Sequence, residues 1–218
     1  MFSGIVQTTL QIQEIVKKED FATFIYRFPK ELAEGLKLGA SVAQNGVCLT
    51  VRTLEENVDG SYQVSFDAIV QTLKLSNLSD VKVGDAVNIE RAARFGDEIG
   101  GHVVSGHVYG CVEVLAVNQD PLNMEIVFQR PVEIKPYLLD KGFVALNGCS
   151  LTIAEVTEDT FSVWLIPETR DVTVFGNIKV GDRVNLEIDP STQATVDTIK
   201  ALMASGQLAE LIATVNNA

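Results

Sequence analysis

The stretch Val42-Ala43-Gln44-Asn45-Gly46-Val47-Cys48-Leu49-Thr50 returns 102 residues later as Val144-Ala145-Leu146-Asn147-Gly148-Cys149-Ser150-Leu151-Thr152, with six of nine positions identical. A repeat of that period marks a duplicated domain rather than a solenoid, whose periods are far shorter. Asn-Gly is a turn dipeptide, because Gly accepts positive φ freely and Asn tolerates it. The β-prone residues that follow predict a turn feeding a strand. Side chains alternate across a strand, which sets Leu49 and Val51 on one face and Cys48 and Thr50 on the other. In the second copy Ser150 and Thr152 take those outer places, so each half presents a small polar or nucleophilic pair, and the two pairs differ.

A second repeat ends each half. Lys82-Val83-Gly84-Asp85-Ala86-Val87-Asn88-Ile89-Glu90 matches the nine residues from Lys179 to Glu187 at seven positions, now 97 apart, which places about five extra residues in the first half. The charged loop at Asp59-Gly60 is their expected location. Ser3-Gly4-Ile5-Val6 likewise aligns with Ser105-Gly106-His107-Val108 at an offset of 102. Alternation predicts strands at Thr8–Gln13, Phe21–Phe28 and Tyr62–Phe66, with one or two helical turns between Pro29 and Leu36. Many short strands with regular turn signals imply a sandwich or a closed barrel for each copy.

At 218 residues, 46% hydrophobic, the chain suffices for two cores, and a net charge of −12 argues against nucleic acid or an anionic membrane as partner. Cys48, Cys111 and Cys149 are an odd set without zinc-site spacing, consistent with a reduced, cytoplasmic setting. No stretch reads as a signal peptide or a membrane span. After Asp189-Pro190 a helix is expected, capped by Ser191 or Thr192, with an apolar stripe of Val196, Ile199, Leu202, Met203, Leu208, Leu211, Ile212 and Val215. The stripe packs either on its counterparts in other subunits or back on its own barrels.

Both histidines of the chain, His102 and His107, lie at the junction of the repeats, flanked by glycines. They suit proton transfer near neutral pH, or equally a hydrogen-bonded interface. Five residues apart on a strand they would face opposite ways, which disfavours a metal site. Cys48 reads as a small hydrophobe or as a reactive thiol. Asp189, where the first copy has Ala92, is a helix cap or a group serving an asymmetric function.

These residues resemble the riboflavin synthase family, alpha-chain type, along the whole chain. The resemblance is carried by Met1 to Val6, Ala40-Ser41-Val42, Asn45 to Thr50, Glu90 to Ala93, Asp97 to His102, Ser105-Gly106-His107, Ser150-Leu151-Thr152, Ile166 to Thr169 and Glu187 to Pro190. Val47 departs from a Cys frequent in relatives, and Asn147 from a common Asp. The resemblance implies an all-β fold: tandem Greek-key β-barrels at 1–101 and 102–190, then a C-terminal α-helix at 191–218 that joins three chains into a homotrimer. It implies an enzyme that needs no metal and no cofactor. Two molecules of 6,7-dimethyl-8-ribityllumazine exchange a four-carbon unit to give riboflavin and 5-amino-6-ribitylamino-2,4(1H,3H)-pyrimidinedione. Each active site is expected between the first barrel of one subunit and the second barrel of another, and lumazine synthase is admitted as a further partner. A related class, non-catalytic lumazine- or flavin-binding antenna proteins, is the alternative, but it tends to lack the His-rich junction, the second-copy polar residues and the terminal helix.

By motif matching, the resemblance implies His102 and His107 for proton transfer, with Cys48, Ser41, Ser150, Thr152 and Asp189 as nucleophile or polar support. Implied substrate contacts in the first barrel are Gly4, Ile5, Val6, Val47, Cys48, Leu49, Thr50 and the run Phe66, Asp67, Ala68, Ile69, Val70, Gln71. In the second they are Gly106, His107, Val108, Lys141, Ser150, Leu151, Thr152 and the run Ile166, Pro167, Glu168, Thr169, Arg170, Asp171.

Overall fold

The computed structural model describes residues 1–120 and 122–207. Six antiparallel strands close the first barrel: β1 (Thr8–Lys17), β2 (Phe21–Phe28), β3 (Ser41–Gln44), β4 (Val47–Glu56), β5 (Tyr62–Ile69) and β6 (Ala86–Arg91), in the spatial order β1-β2-β5-β4-β3-β6. The connections from β2 to β3 and from β5 to β6 cross the barrel ends, which makes the order Greek-key. The second barrel repeats it with β7 (Gly110–Gln119), β8 (Met124–Gln129), β9 (Phe143–Leu146), β10 (Cys149–Val156), β11 (Thr160–Leu165) and β12 (Arg183–Ile188). Closure leaves neither sheet an open edge.

The two Asn-Gly dipeptides are the two-residue turns of the β3–β4 and β9–β10 hairpins. Asn45 and Gly46 have φ of 46° and 80°, and Asn147 and Gly148 have 44° and 82°, so both central residues are left-handed, as a hairpin matched to strand twist requires. Leu54 pairs with Val64, whereas the equivalent Val156 pairs with Phe161; the extra residues of the first copy therefore lengthen the β4–β5 hairpin, as expected.

Each barrel is filled by its own apolar cluster, with Phe24, Phe28, Phe66 and Ile89 in the first and Phe128, Phe161, Leu146 and Ile153 in the second. One interior difference is chemical. Tyr26 Oη donates to Gln44 Oε1 at 2.8 Å inside the first barrel, where the second has Phe128 and Leu146.

The barrels meet about a pseudo-twofold axis. Phe2 and Val104, equivalent residues, form a two-way bridge with N···O distances of 2.7 and 3.0 Å. Gly46 and Gly148 lie back to back, so that a Cβ on Gly46 would stand 2.6 Å from the Gly148 nitrogen. Around them the Asn88 amide donates to Asn147 O at 2.9 Å and the Asn185 amide to Asn45 O at 2.8 Å. The buried Asn88 and Asn185 side chains thus satisfy main-chain groups of the opposite barrel, while Asn45 and Asn147 accept the Asn88 and Asn185 N–H groups of their own barrels, and a buried polar group costs stability unless it is paired.

Helical segments are short apart from the last: α1 (Lys30–Ala33), α2 (Val70–Leu75), α3 (Pro167–Val172) and α4 (Pro190–Ala204). The segment expected between Pro29 and Leu36 is the single turn α1. The cap of α4 is Asp189, whose Oδ2 accepts from the Thr192 N–H and hydroxyl at 2.8 Å each, in line with the cap reading of Asp189 and correcting that of Ser191 or Thr192. The helix leans on the second barrel through Val196 and through Tyr137, which bonds to Asp197 and lies under Lys200 Nζ, 4.5 Å from the ring centroid. Ile199 and Met203 remain 49% and 64% exposed. The expected stripe residues Leu208, Leu211, Ile212 and Val215 lie outside the described residues.

Candidate active site

The strand pairing sets two equivalent polar rows on the outer faces of the barrels. In the first, Ser41 pairs with Thr50 and Ala43 with Cys48. In the second, Phe143 pairs with Thr152 and Ala145 with Ser150. Leu49, Val51, Leu151 and Ile153 alternate into the cores. The face expected for Cys48, Thr50, Ser150 and Thr152 is thus the face observed.

His102 completes the second row. Its ring stacks on Phe143, 5.1 Å between centroids at 19°, and its Nδ1 lies 2.6 Å from Ser150 Oγ, which also accepts the His102 backbone N–H at 3.1 Å. The ring is buried and its Nε2 has no hydrogen-bond partner among the described residues. Burial pushes the imidazolium pKa down, while the Asp189 carboxylate pulls it partly back. The ring is therefore held neutral near pH 7, and its Nδ1 is in place to take a proton from the Ser150 hydroxyl. Burial alone would raise the Asp189 carboxyl, but hydrogen bonds from Ser191 and Thr192, and the His102 charge, bring it below its ordinary value. Gly101 makes the approach possible: a Cβ there would stand 2.5 Å from both Ser3 O and Ser150 Cβ.

The first row is built differently. Cys48 is half-buried and His107 exposed, and their connection runs through the main chain, the Cys48 N–H donating to Gly106 O at 2.9 Å. The mirror-image bond joins the Ser150 N–H to Gly4 O at 2.8 Å. Gly4 and Gly106 have φ of 73° and 86°, and a Cβ on either would fall 2.5 Å from Cβ of Ser150 or Cys48 respectively, so both positions demand glycine.

This crossing corrects the grouping by sequence half. Gly4, Ile5 and Val6 lie against the second barrel, with Val6 in its core, and Gly106, His107 and Val108 lie against the first, with Val108 packed on its core. The candidates therefore form two half-sites: Ser41, Cys48 and Thr50 with Gly106 and His107, and His102, Ser150, Thr152 and Asp189 with Gly4 and Ile5.

Other expected contacts sit apart from these rows or point inward. Val47, Phe66 and Ala68 are buried in the first core, leaving only their main chain for a ligand. Asp67 accepts from Thr23 Oγ1 at 2.6 Å and pairs with Arg52 at 3.1 Å. Ile69 and Ile166 are equivalent exposed residues that precede α2 and α3, whose turns carry Val70 and Gln71, and Pro167, Glu168, Thr169, Arg170 and Asp171. Arg170 pairs with Asp171 at 2.8 Å. Lys141 occupies a left-handed position (φ 62°) where the first copy has Gly39, and its Nζ reaches Ala154 O at 3.3 Å. Cys149 is buried, its thiol pushed far up by desolvation, and Cys111 touches Asn185 and Leu75 O. The ring stacking by Phe143 was not foreseen; its alignment with Ser41 was the available signal.

Both half-sites present exposed groups, Thr50 and His107 in the first and Ile5 and Thr152 in the second, the latter beside the buried His102. A cleft of about 670 Å³ between the barrels is lined by Asn45, Asn77, Asn147, Val174 and Arg183 among others and contains none of the candidates. Among the described residues no group of three or more His, Cys, Asp or Glu could hold a metal ion, and no helix is long and apolar enough to cross a membrane.

Residues 3–92 and 105–189 each match the family described as Lumazine binding domain, so fold and site together define a tandem lumazine-binding-domain protein. The chain is 47% identical to the riboflavin synthase of Escherichia coli K12 over 206 residues, 94% of each chain. It is 39% identical to that of Chlamydia pneumoniae over 94% of this chain and 98% of the other. Among solved structures, LumP complexed with riboflavin superposes with a TM-score of 0.79 at 26% identity, covering 87% of this chain and all of that one. LumP complexed with 6,7-dimethyl-8-(1'-D-ribityl) lumazine gives 0.77 at 25%, covering 87% and 99%. The chain belongs to the riboflavin synthase family.

Proposed function

We propose that this protein is a riboflavin synthase, the enzyme that dismutates two molecules of 6,7-dimethyl-8-ribityllumazine. One molecule gives up a four-carbon unit and becomes 5-amino-6-ribitylamino-2,4(1H,3H)-pyrimidinedione, and the other takes it and becomes riboflavin. The carrying observation is the pair of half-sites, alike in backbone and unlike in chemistry, in a chain 47% identical to a riboflavin synthase over nearly its full length. Two identical reactants that must end as different products need two such seats. Holding the rings together supplies much of the acceleration by proximity and orientation.

The exposed Thr50 and His107 of one half-site and Ile5 and Thr152 of the other support a complete site made when the first barrel of one subunit covers the second barrel of another, and the exposed Ile199 and Met203 on α4 support a homotrimer joined by that helix. In this reading the neutral His102 takes the proton from Ser150, Asp189 steadies the imidazolium that forms, Thr152 holds the molecule seated beside them, and Cys48, Ser41, Thr50 and His107 hold the partner molecule. The exposed turns at Ile69 and Ile166 flank the ring edges, and the Thr and Ser hydroxyls suit the ribityl chain. Incubation of the purified protein with the lumazine alone tests the proposal: riboflavin and the pyrimidinedione should form in equal amounts. Tight binding without product would instead identify an antenna-type binder.

A further inference from the structure

Two buried carboxylates have no task in the chemistry above. Glu90 and Glu187 are equivalent residues on β6 and β12, each 4% exposed, and no cation is paired with either among the described residues. An unpaired buried charge is costly to keep. What each has instead is a serine. Glu90 Oε1 accepts the Ser3 N–H at 2.6 Å and the Ser3 hydroxyl at 2.7 Å; Glu187 Oε1 accepts the same pair from Ser105 at 2.6 and 2.7 Å. Such charge-assisted bonds are short and strong.

The held segments do not stay on their own barrel. Gly106 donates its N–H to Glu187 Oε2 at 2.9 Å and accepts the Cys48 N–H of the first barrel on its carbonyl at 2.9 Å. One peptide residue thus links a carboxylate of the second barrel to the half-site of the first. In the mirror arrangement Glu90 grips Ser3, Gly4 O takes the Ser150 N–H, and Ser3 O closes on the Gly101 backbone that carries His102. The two grips are unequal: Glu90 Oε2 makes no hydrogen bond of normal geometry among the described residues, and burial pushes the Glu90 pKa up, an effect that Ser3 and then the Gly4 and Ile5 amides offset in part.

We infer that Glu90 and Glu187 are positioning residues that act across the barrel boundary, Glu187 placing the Cys48–His107 half-site of the first barrel and Glu90 the His102–Ser150 half-site of the second. The kinetic part of this role rests on the proposed synthase function; the geometric part does not. A competing arrangement is equally specific. Glu90 pairs with Ala43, next to Cys48, and Glu187 with Ala145, next to Ser150, so a carboxylate acting along its own row would control its own barrel.

Glu90→Gln and Glu187→Gln in the full chain separate the two. The chain has only two histidines, so their ring resonances report the half-sites independently, and alkylation of Cys48, located by peptide mass, gives a second reading of the first. Gln at 187 cannot accept with both side-chain atoms. We expect E187Q to move the His107 resonances, speed Cys48 alkylation at least threefold and lower kcat about tenfold, with the His102 titration in place. E90Q should shift the His102 titration and leave the Cys48 rate unchanged. Ser105→Ala and Ser3→Ala remove the hydroxyl half of each grip together with the acceptor of the His107 and Ile5 N–H groups; they should give the same crossed pattern, read in the Cys48 alkylation rate and the His102 titration, at smaller amplitude, and serve if a Gln variant fails to fold. The same-barrel pattern, or unchanged spectra and thiol rates in folded variants, would overturn the assignment. If the wild type makes no riboflavin, the function is wrong, while the resonances and thiol rates still decide the positioning role.

Discussion

Ser150 Oγ accepts the His102 backbone N–H and meets the same residue's Nδ1, at 3.1 and 2.6 Å. A side chain fixed at both its amide and its ring cannot turn away from its partner, and the stack on Phe143 holds the ring plane as well. The pair is therefore set before any ligand arrives.

Its titration should follow. The folded pKa of His102 lies below its ordinary value of about 6.5. As pH falls through that ordinary value the unfolded chain takes up a proton that the folded one resists, so the folded state loses stability on the acid side. Activity should fall there too, once His102 itself is protonated. Following the His102 resonance against pH checks the first point. His102→Gln should flatten the acid limb of the unfolding curve and lower kcat at least a hundredfold, the scale of general acid–base catalysis.

Asp189 serves two partners. Asp189→Ala removes the α4 cap and should cost about 1 kcal/mol in thermal or denaturant unfolding. It also removes the negative charge that raises the His102 pKa, so the imidazole should titrate at still lower pH. Asp189→Asn keeps most of the cap and should show only the second effect.

Inside the first barrel, Tyr26→Phe leaves Gln44 Oε1 buried without its donor and should cost about 1–3 kcal/mol. Tyr26→Phe combined with Gln44→Leu reproduces the Phe128 and Leu146 pair of the second barrel and should recover most of that loss. A double-mutant cycle by denaturant unfolding measures the coupling.

If α4 joins subunits, a chain ending after Pro190 should remain folded by circular dichroism, sediment as a monomer and lose nearly all synthase activity. A truncated chain of full activity would place the whole site within one subunit.

Much of this architecture was legible because the repeat fixed turns, alternation and offsets together: the outward Cys48, Thr50, Ser150 and Thr152, the Asn-Gly hairpins and the extra length at Asp59-Gly60 all follow from it. The short helices at Val70–Leu75 and Pro167–Val172 were not, since six residues show too little periodicity to separate a turn of helix from the end of a strand. The exchange of Gly4–Val6 and Gly106–Val108 between barrels was hidden for a different reason. Sequence places a segment along the chain, but a left-handed glycine followed by one main-chain bond decides on which neighbour it rests. Of the caps the sequence offered for α4, Asp189 serves and Ser191 does not, because Pro190 starts the helix one residue earlier than the composition suggested.

The back-to-back Gly46 and Gly148 carry a consequence for how such a molecule can change over time. Their hydrogens are all that separates the halves at the axis, so neither can acquire a side chain without driving its twin away. Both copies keep glycine there, while the outward rows differ. New substrates can be met by changing the outward rows, but not the seam along which the chain was duplicated.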